Sequence, residues 1–402
     1  MAMLSFDEAR ARILSDVPRV DVETVPLARA AGRVLARDLD AETPLPRFDH
    51  SAMDGYAVAT ADLDGDGPWT LPVIGESAAG AGSRSLALGA ACRIFTGAPI
   101  PTRADAVVMQ ENVRRDGDAI VFDARPRAMQ HVRRTGEDMR EGVRAIAAGT
   151  RLAAGHLALS AMLDRADLVV ARRPVVTILS TGNELRAPGT VGTEGSIPES
   201  NSVALAALAE QAGASVRVAP IARDDAEATV AAILEALRGT DLLLTVGGVS
   251  VGDHDLVRPA LERAGVTLDF WRVAIKPGKP LAVGRTANAR VLGLPGNPAS
   301  AMVTFAVFGL PLLRAMQGDA RPIAPVVSAR LANAQKRSPD RLELARVTLD
   351  VVDGAFVART HTNQSSGAAT SLADSNALAM LPPGESPLAA GALVDVVRWS
   401  DL

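Results

Sequence analysis

Four short loops carry the residues whose types and spacing could do chemistry. Three of them directly follow runs typical of buried strands, at residues 180–185 (STGNEL), 247–252 (GGVSVG) and 295–298 (PGNP), and the fourth spans 276–280 (KPGKP). Small residues let a ligand approach the backbone, and the N–H groups at the start of a following helix attract anions. The loops therefore predict a pocket for a phosphorylated, anionic small molecule.

Two of the loops have the composition of a phosphate cradle. The glycine-rich loop lacks both the Walker A and the Rossmann patterns, and such a turn on its own is about as often simple turn chemistry as a binding site. In the PGNP loop, a helix beginning at Pro298 offers its N-terminus, although a helix start alone would explain the motif. The candidate binding residues are Gly247, Gly248, Ser250, Gly252, Gly296, Asn297, Pro298 and Ser300.

The KPGKP loop places Lys276 and Lys279 three residues apart. Flanking prolines stiffen the loop, so both ammonium groups can face one anion. A solvated basic turn is the alternative. The pattern favours an anion site because ordering two lysines costs conformational freedom and does nothing for a core.

Carboxylates near the same strand ends could hold the divalent cation that accompanies a polyphosphate. The candidates are Glu184, Asp224, Asp225, Asp253 and Asp255. Asp224 also forms a capping-box pattern with Glu227 ahead of a helix at Ala226, and this pattern alone would explain the acid. Asp255 would lie in a first helical turn, where the helix dipole favours a carboxylate in any case. Asp253 could likewise cap a helix, and each acid, taken singly, is about evenly divided between a structural and a ligand role.

The elements that must position these loops alternate regularly after residue 174. Strand-like runs such as VVTIL and DLLLTV alternate with helical patterns at 202–211, 226–237 and about 255–264. Three further predicted strands, FWRVAI (270–275), PLAVG (280–284) and RVLGL (290–294), precede a long helix from Pro298. This alternation predicts parallel βαβ units and a doubly wound sheet, whose ligands collect outside the carboxyl ends of the strands.

The rest of the chain indicates an α/β multidomain protein. Phe6, Ala9 and Ile13 have helical spacing, residues 44–134 are punctuated by Gly and Pro between short Val/Ile runs, and residues 155–164 are helical again. Residues 322–402 are strand-like. We expect a discontinuous N-terminal domain (1–43 plus 135–173), an inserted β-rich domain (44–134), a central α/β domain (174–318) and a C-terminal β-domain (322–402).

Composition excludes several functional classes. The 402 residues contain 42 Lys plus Arg against 46 Asp plus Glu, with no basic stripe, so nucleic acid is not an expected partner. The single Cys92 excludes an internal disulfide. The N-terminus is charged where a secretory sequence is apolar, and the apolar run 301–313 is shorter than the roughly 18 residues that span a bilayer. We expect a cytoplasmic protein without a membrane partner.

Eight ordered motifs give the chain a resemblance to a known family over nearly its whole length. They are SAMDGYAV (51–58), RIFTGAPIP (93–101), ADAVVMQE (104–111), GED (136–138), STGNEL (180–185), GGVSVGDHD (247–255), KPGKP (276–280) and LPGNPAS (294–300). Together they resemble molybdopterin molybdenumtransferase, the molybdenum insertase family that includes the E domain of gephyrin.

The resemblance implies a Mg²⁺-dependent enzyme that uses adenylyl-molybdopterin and molybdate and yields the molybdenum cofactor and AMP. It implies a homodimer of four-domain subunits, with a cleft between the α/β domain of one subunit and the inserted domain of the other, and the molybdopterin adenylyltransferase as a further candidate partner. Residues carried over as active or ligand-binding are Asp54, Thr96, Asp138, Glu184, Asp224, Asp255, Lys276 and Lys279; Pro277 and Ser300 match motifs linked to molybdate, and Glu184, Asp224 and Asp255 are the implied metal ligands.

Two departures bear on these expectations. Asn183 stands where many relatives have Asp, which weakens the metal-ligand set, and residues 197–201 are Ile-Pro-Glu-Ser-Asn in place of the more usual Ile-Tyr-Asp-Ser-Asn. Two rival functions remain: the adenylyltransferase, whose single α/β domain resembles residues 174–318, and a gephyrin-like binding scaffold. The motifs around Asp54 and Thr96 favour the insertase, whose mechanism we expect to be electrostatic positioning of two anions with no protein nucleophile.

Overall fold

The computed structural model describes residues 3–80, 82–248 and 256–402. The chain divides into two compact units. Met1–Arg37, Ala148–Leu152 and Leu168–Leu402 form the larger unit, and Asp38–Ala147 with Ala153–Asp167 form the smaller. The division into four domains made from the sequence stays a prediction.

The smaller unit is built on a six-stranded sheet, in agreement with the β-rich character of residues 44–134. Across the sheet, the strands are Ala106–Met109, Gly55–Val58, Ala91–Ile94, Trp69–Ser77, Ala119–Phe122 and Arg114–Asp116. Tyr56, Trp69, Ile120 and Phe122 pack in its core. The helix Ala154–Met162 matches the helical pattern at 155–164.

The central sheet of the larger unit is mixed. Its strand order is Ser215–Val218, Val175–Ser180, Leu242–Val246, Arg290–Leu294, Pro280–Arg285 and Thr267–Arg272. The first four strands are parallel, as predicted, and the last two are antiparallel to their neighbours. Only residues 286–289 join Pro280–Arg285 to Arg290–Leu294, and a parallel crossover needs a dozen or more residues.

Helices cover this sheet close to the predicted positions. They are Phe6–Leu14, Asn201–Gln211, Ala226–Ala236, Val257–Arg263 and Pro298–Met316, the last with a wider turn at Phe305–Gly309. Phe6, Ala9 and Ile13 are buried as their spacing predicts, and the Phe6 and Phe308 rings lie 5.3 Å apart. Pro298–Met316 has the length and composition of a membrane span, but 83% of its most apolar window is buried in the protein, which is typical of a core helix.

The C-terminal strands close into a barrel. In order they are Leu342–Val352, Ala355–Thr360, Val327–Leu331, Leu393–Arg398 and Ala377–Leu381, and the last pairs with the first. The sequence pattern missed the strand Ala377–Leu381 and the short helix Ala369–Ala373.

Short strands elsewhere in the chain are Val22–Pro26, Leu39–Asp40, His50–Ser51, Val132–Arg133, Arg144–Ile146, Asp167–Ala171, Leu185–Arg186 and Ile197–Pro198.

One predicted strand is corrected. The run FWRVAI (270–275) is divided: the central strand ends at Arg272, and Ile275–Lys276 pairs in parallel with Leu342–Val352 of the barrel. The backbone turns away between them, where the Ala274 amide donates to Leu4. The KPGKP loop therefore leaves a strand that belongs to the C-terminal sheet.

Candidate functional site

A cleft of 810 Å³ opens at the carboxyl ends of the central parallel strands. The three loops that follow strands Val175–Ser180, Leu242–Val246 and Arg290–Leu294 all line it, as expected for an open α/β sheet. Of the residues predicted from sequence, the cleft brings together Glu184, Asp224, Gly247, Gly248, Gly296, Asn297 and Pro298. Ser250, Gly252 and Asp255 lie outside the described residues, as does Asp253.

The two glycines of the cleft floor are required by backbone geometry. Gly247 has φ +91°, and a Cβ there would lie 2.8 Å from the Thr181 carbonyl oxygen. Gly248 has φ +63°, and its Cβ would collide with Val257. Both positions are left-handed and closely packed, so only glycine fits without strain. The strand Leu242–Val246 therefore ends in a tight turn whose two glycines line the cleft.

The two described metal-ligand candidates face the same cleft. The Glu184 carboxylate folds over Gly182, where a Cβ would lie 2.6 Å from Glu184 Oε2. Asp224 Oδ2 accepts a hydrogen bond from the Asn183 amide at 3.1 Å, and Asn183 Oδ1 accepts one from the Asp224 amide at 3.2 Å. These reciprocal bonds fix two neighbouring loops to each other.

The capping-box expectation for Asp224 is wrong. The helix Ala226–Ala236 is capped by Asp225, whose Oδ1 accepts from the Ala228 amide at 2.8 Å. Because the cap is the residue directly before the helix, the neighbouring acid takes that role and leaves Asp224 to the cleft. Helix capping therefore does not explain Asp224.

Glu199 and Asn201 line the cleft, although neither is among the site residues predicted from the sequence. Glu199 is 4% exposed; its Oε1 accepts from the Asn201 amide at 2.7 Å and from the Ser202 amide at 3.0 Å, and Oε2 accepts from the Ser202 hydroxyl. Asn201 Nδ2 donates to the Gly296 carbonyl at 2.7 Å. The unusual sequence of residues 197–201, Ile-Pro-Glu-Ser-Asn, was the feature that could have indicated them. This segment ties a helix start to the PGNP loop.

The lysine loop lies beside the cleft lining. Pro280 lines the cleft, whereas Lys276, Pro277 and Lys279 do not. Lys276 Nζ is 3.2 Å from Glu343 Oε1 of the barrel strand, and the exposed Lys279 forms no ion pair with the described residues. The structure therefore does not bring both ammonium groups into the lining of the cleft.

The PGNP loop is held from the C-terminal side. Asn297 precedes the helix without a side-chain cap bond, and Pro298 occupies the first turn, as predicted. Asn297 Nδ2 donates to the Ser366 hydroxyl at 3.0 Å, and the Ala299 amide donates to the Ser366 carbonyl at 3.0 Å. Ser300 is 4% exposed.

The smaller unit brings together two of its three predicted residues. Asp54 Oδ1 accepts hydrogen bonds from the Thr96 amide and hydroxyl, each at 2.8 Å. These bonds, with the nearby Arg93 guanidinium, lower the pKa of the Asp54 carboxyl. The Asp54–Thr96 pair is thus a fixed anionic group that stays ionised near neutral pH. Asp138 does not belong to this pair and lines a cleft of the smaller unit with His50, Arg133 and Glu137.

The donor set around Glu184 and Asp224 fits a hard divalent cation. Carboxylate oxygens are the ligands that Mg²⁺ prefers, and Mg²⁺ is usually held by one or two carboxylates together with substrate phosphates. Within the ranges 3–80, 82–248 and 256–402, there is no group of three or more His, Cys, Asp or Glu side chains that could hold a metal by itself. A cation here would thus depend on ligands beyond these two acids.

Three family models together match most of the chain. Residues 4–163 match the MoeA N-terminal region (domain I and II). Residues 177–315 match a probable molybdopterin binding domain, and residues 328–399 match the MoeA C-terminal region (domain IV). The middle match contains the described loops of the cleft.

Relatives and solved structures agree with these matches. The chain is 38% identical to molybdopterin molybdenumtransferase 2 of Mycobacterium tuberculosis, over 93% of this chain and 94% of that protein. It is 33% identical to molybdopterin molybdenumtransferase of Bacillus subtilis, over 98% of this chain and 94% of that one. The structure of the molybdopterin biosynthesis MoeA protein from Pyrococcus horikoshii OT3 superimposes with a TM-score of 0.85 at 30% identity, covering 99% of this chain and 100% of that chain.

Proposed function

The chain belongs to the molybdopterin molybdenumtransferase family, and we propose that it acts in molybdenum cofactor biosynthesis by inserting molybdenum into molybdopterin. The observation that carries the proposal is the cleft itself, where a glycine turn, a helix N-terminus and two carboxylates meet at the ends of parallel strands. Such a site suits a ligand with phosphate groups and an accompanying cation.

We propose adenylyl-molybdopterin and molybdate as the substrates, and the molybdenum cofactor and AMP as the products. The pyrophosphate would lie against the Gly247 turn and the start of the helix at Pro298, where N–H groups favour negative charge. Lys276, Lys279, Pro277 and Ser300 would form the side that receives molybdate. The protein holds two anions in contact, so positioning and charge compensation are its main contributions.

Glu184 and Asp224 would hold Mg²⁺, with Asp255 as a third ligand. When bound, Mg²⁺ supplies positive charge beside the pyrophosphate. Asn183 supports this role through two hydrogen bonds. Its side-chain oxygen accepts from the backbone amide of Asp224, and its backbone amide donates to Asp224 Oδ2. It therefore orients a ligating carboxylate, whereas the resemblance had placed it in the position of a ligand.

We also propose a homodimer in which Asp54 and Thr96 of one subunit complete the cleft of the other. Their geometry supports a functional role, because two donors of Thr96, its backbone amide and its hydroxyl, hold one carboxylate oxygen of Asp54. The adenylated substrate would come from the molybdopterin adenylyltransferase. A cytoplasmic location is consistent with the single, unpaired Cys92.

The test is AMP release from adenylyl-molybdopterin by the purified chain with Mg²⁺, in the presence and absence of molybdate. We expect release that requires molybdate, and Asp224→Asn to lower its rate by at least about 10-fold, which corresponds to about 1.4 kcal/mol of transition-state stabilisation. Asp225→Asn is the matched control, because Asp225 caps the helix Ala226–Ala236 and asparagine can also cap a helix.

Other outcomes separate the rival functions. An adenylyltransferase would form adenylyl-molybdopterin from ATP and molybdopterin, and a scaffold would do neither reaction. For the homodimer, mixing Asp54→Asn protein with Asp224→Asn protein should restore part of the activity, since mixed dimers contain one unaltered site. No restoration after subunit exchange would contradict the shared site.

A further inference from the structure

The barrel strand Leu342–Val352 contacts the lysine loop through its first residues. Ile275 pairs with Leu342 and Lys276 pairs with Glu343 in a parallel ladder. This pairing brings the Glu343 carboxylate to Lys276, with Oε1 3.2 Å from Nζ. The C-terminal domain thus supplies the only carboxylate that forms an ion pair with Lys276 among the described residues.

Glu343 is unusually placed for a surface ion pair. Its side chain is 10% exposed, whereas that of Lys276 is 46% exposed. Its second oxygen, Oε2, is buried without a hydrogen-bond partner among the described residues. A buried carboxylate with one unsatisfied oxygen is costly to maintain, so stability alone is a poor explanation for it.

The barrel strand Leu342–Val352 also carries a buried cation, Arg346. Arg346 is 1% exposed, and burial lowers the pKa of its guanidinium while attraction to Glu343 opposes that change. Its Nη2 donates to the Ser365 carbonyl at 2.9 Å and its Nε donates to the Ser371 hydroxyl at 3.0 Å. Arg346 therefore orders the segment whose next residue, Ser366, contacts the start of the helix at Pro298.

One strand thereby reaches both loops that we assign to anions. It contacts the KPGKP loop through Glu343, and it contacts the PGNP loop indirectly through Arg346 and residues 365–366. A flexible lysine has many rotamers, and an anchored carboxylate restricts them to those near the loop. The same carboxylate also places a negative charge beside a site for negatively charged ligands.

We propose that Glu343 is a positioning residue that fixes the Lys276 ammonium group for the reaction, at the expense of anion affinity. The inference rests on the proposed function of the lysine loop. The rate of the reaction and the affinity for the oxyanion should therefore respond differently to a change at Glu343. Removing the charge of Glu343 should lower the rate of the reaction because Lys276 is no longer held, but it should not weaken oxyanion binding, since a nearby negative charge is lost.

The experiment uses the full chain and Glu343→Gln, with Asp350→Asn as the matched control. Asp350 lies on the same strand, is exposed and forms no ion pair with the described residues. We expect Glu343→Gln to lower kcat for molybdate-dependent AMP release by about 10-fold, by analogy with the lower end of the range for residues that orient metal-ligating side chains. Molybdate affinity measured by calorimetry should be equal to or tighter than that of the unaltered protein.

A conservative variant and a double variant separate positioning from simple structural support. Glu343→Asp should recover part of kcat, because the charge is kept. In a Lys276→Met background, Glu343→Gln should change the residual rate by less than about twofold if Glu343 acts through the lysine. An equal loss in both backgrounds, or weaker molybdate binding together with a lower unfolding temperature, would overturn the proposal.

The same measurements keep the inference distinct from the proposed function. If the unaltered chain binds molybdate but never releases AMP, the proposed function fails. The inference is then judged on molybdate binding: affinity that is equal or tighter in Glu343→Gln supports the charge argument, and weaker affinity contradicts it. An unaltered kcat in Glu343→Gln contradicts the positioning role directly.

Discussion

Replacing Glu199 by glutamine should loosen the start of the helix Asn201–Gln211. The Glu199 carboxylate accepts from two backbone amides, of Asn201 and Ser202, and from the Ser202 hydroxyl. Glutamine keeps one acceptor oxygen and places an N–H₂ group where the second oxygen was, so at least one donor loses its partner. A hydrogen bond to a charged group contributes about 1.5–3 kcal/mol, and a helix cap about 1 kcal/mol. We therefore expect a local loss of about 2–3 kcal/mol.

The suitable assay is hydrogen–deuterium exchange of the peptide covering residues 201–211, because a multidomain chain need not unfold in a single transition. A local loss of about 2–3 kcal/mol speeds exchange through helix opening by about 30- to 150-fold. Glu194→Gln is the control, since Glu194 is exposed in the segment before this helix. Exchange in Glu199→Gln that matches the control would refute the assignment of Glu199 as the anchor of this helix start.

Three further outcomes follow from other contacts. Thr96→Val should raise the pKa of Asp54, measured by NMR titration of its carboxyl, and an unchanged titration would contradict the role of the Thr96 hydroxyl. Because the pKa of Asp54 is lowered in the folded protein, the Asp54–Thr96 hydrogen bonds stabilise the fold above the unfolded pKa, and this stabilisation disappears as pH falls through the folded pKa. Gly248→Ala should lower stability by about 2–4 kcal/mol, from a left-handed backbone and a steric collision, whereas Gly195→Ala, left-handed but with open space, should cost about 1 kcal/mol; equal losses in thermal unfolding would exclude the collision. Asp241→Asn, which breaks a two-pronged bond to an arginine at 2.7 and 2.8 Å, should cost about 1.5–3 kcal/mol in urea unfolding, and a loss below about 0.5 kcal/mol would argue against that bond as a support of the sheet.

Local patterns predicted the parts of the fold that local physics decides. The spacing of Phe6, Ala9 and Ile13 correctly predicted a buried helix face, and the alternation after residue 174 correctly predicted the parallel core of the central sheet. The run at 270–275 was misjudged because its division depends on pairing between Ile275–Lys276 and a strand about 70 residues later. Hydrophobic periodicity carries no information about such a pairing.

The candidate site divides along the same line. Strand-end loops identified Glu184, Asp224 and the glycines because their position follows from the topology of an open α/β sheet. Glu343 was not selected, because nothing in the residues around it indicates that Lys276 is its neighbour. The exchange of roles between Asp224 and Asp225 was likewise beyond a local pattern, since two adjacent acids both satisfy a capping rule.

The helix starts around the cleft differ in whether the protein has already neutralised them. Glu199 occupies the start of Asn201–Gln211, and Asp225 caps Ala226–Ala236. The helix at Pro298 begins without an acid in its first turn, and Asn297 makes no side-chain cap bond there. A carboxylate at a helix N-terminus offsets the partial positive charge that would otherwise attract an anion. An anion in the cleft is therefore drawn toward the PGNP loop, the side on which the barrel strand holds Lys276.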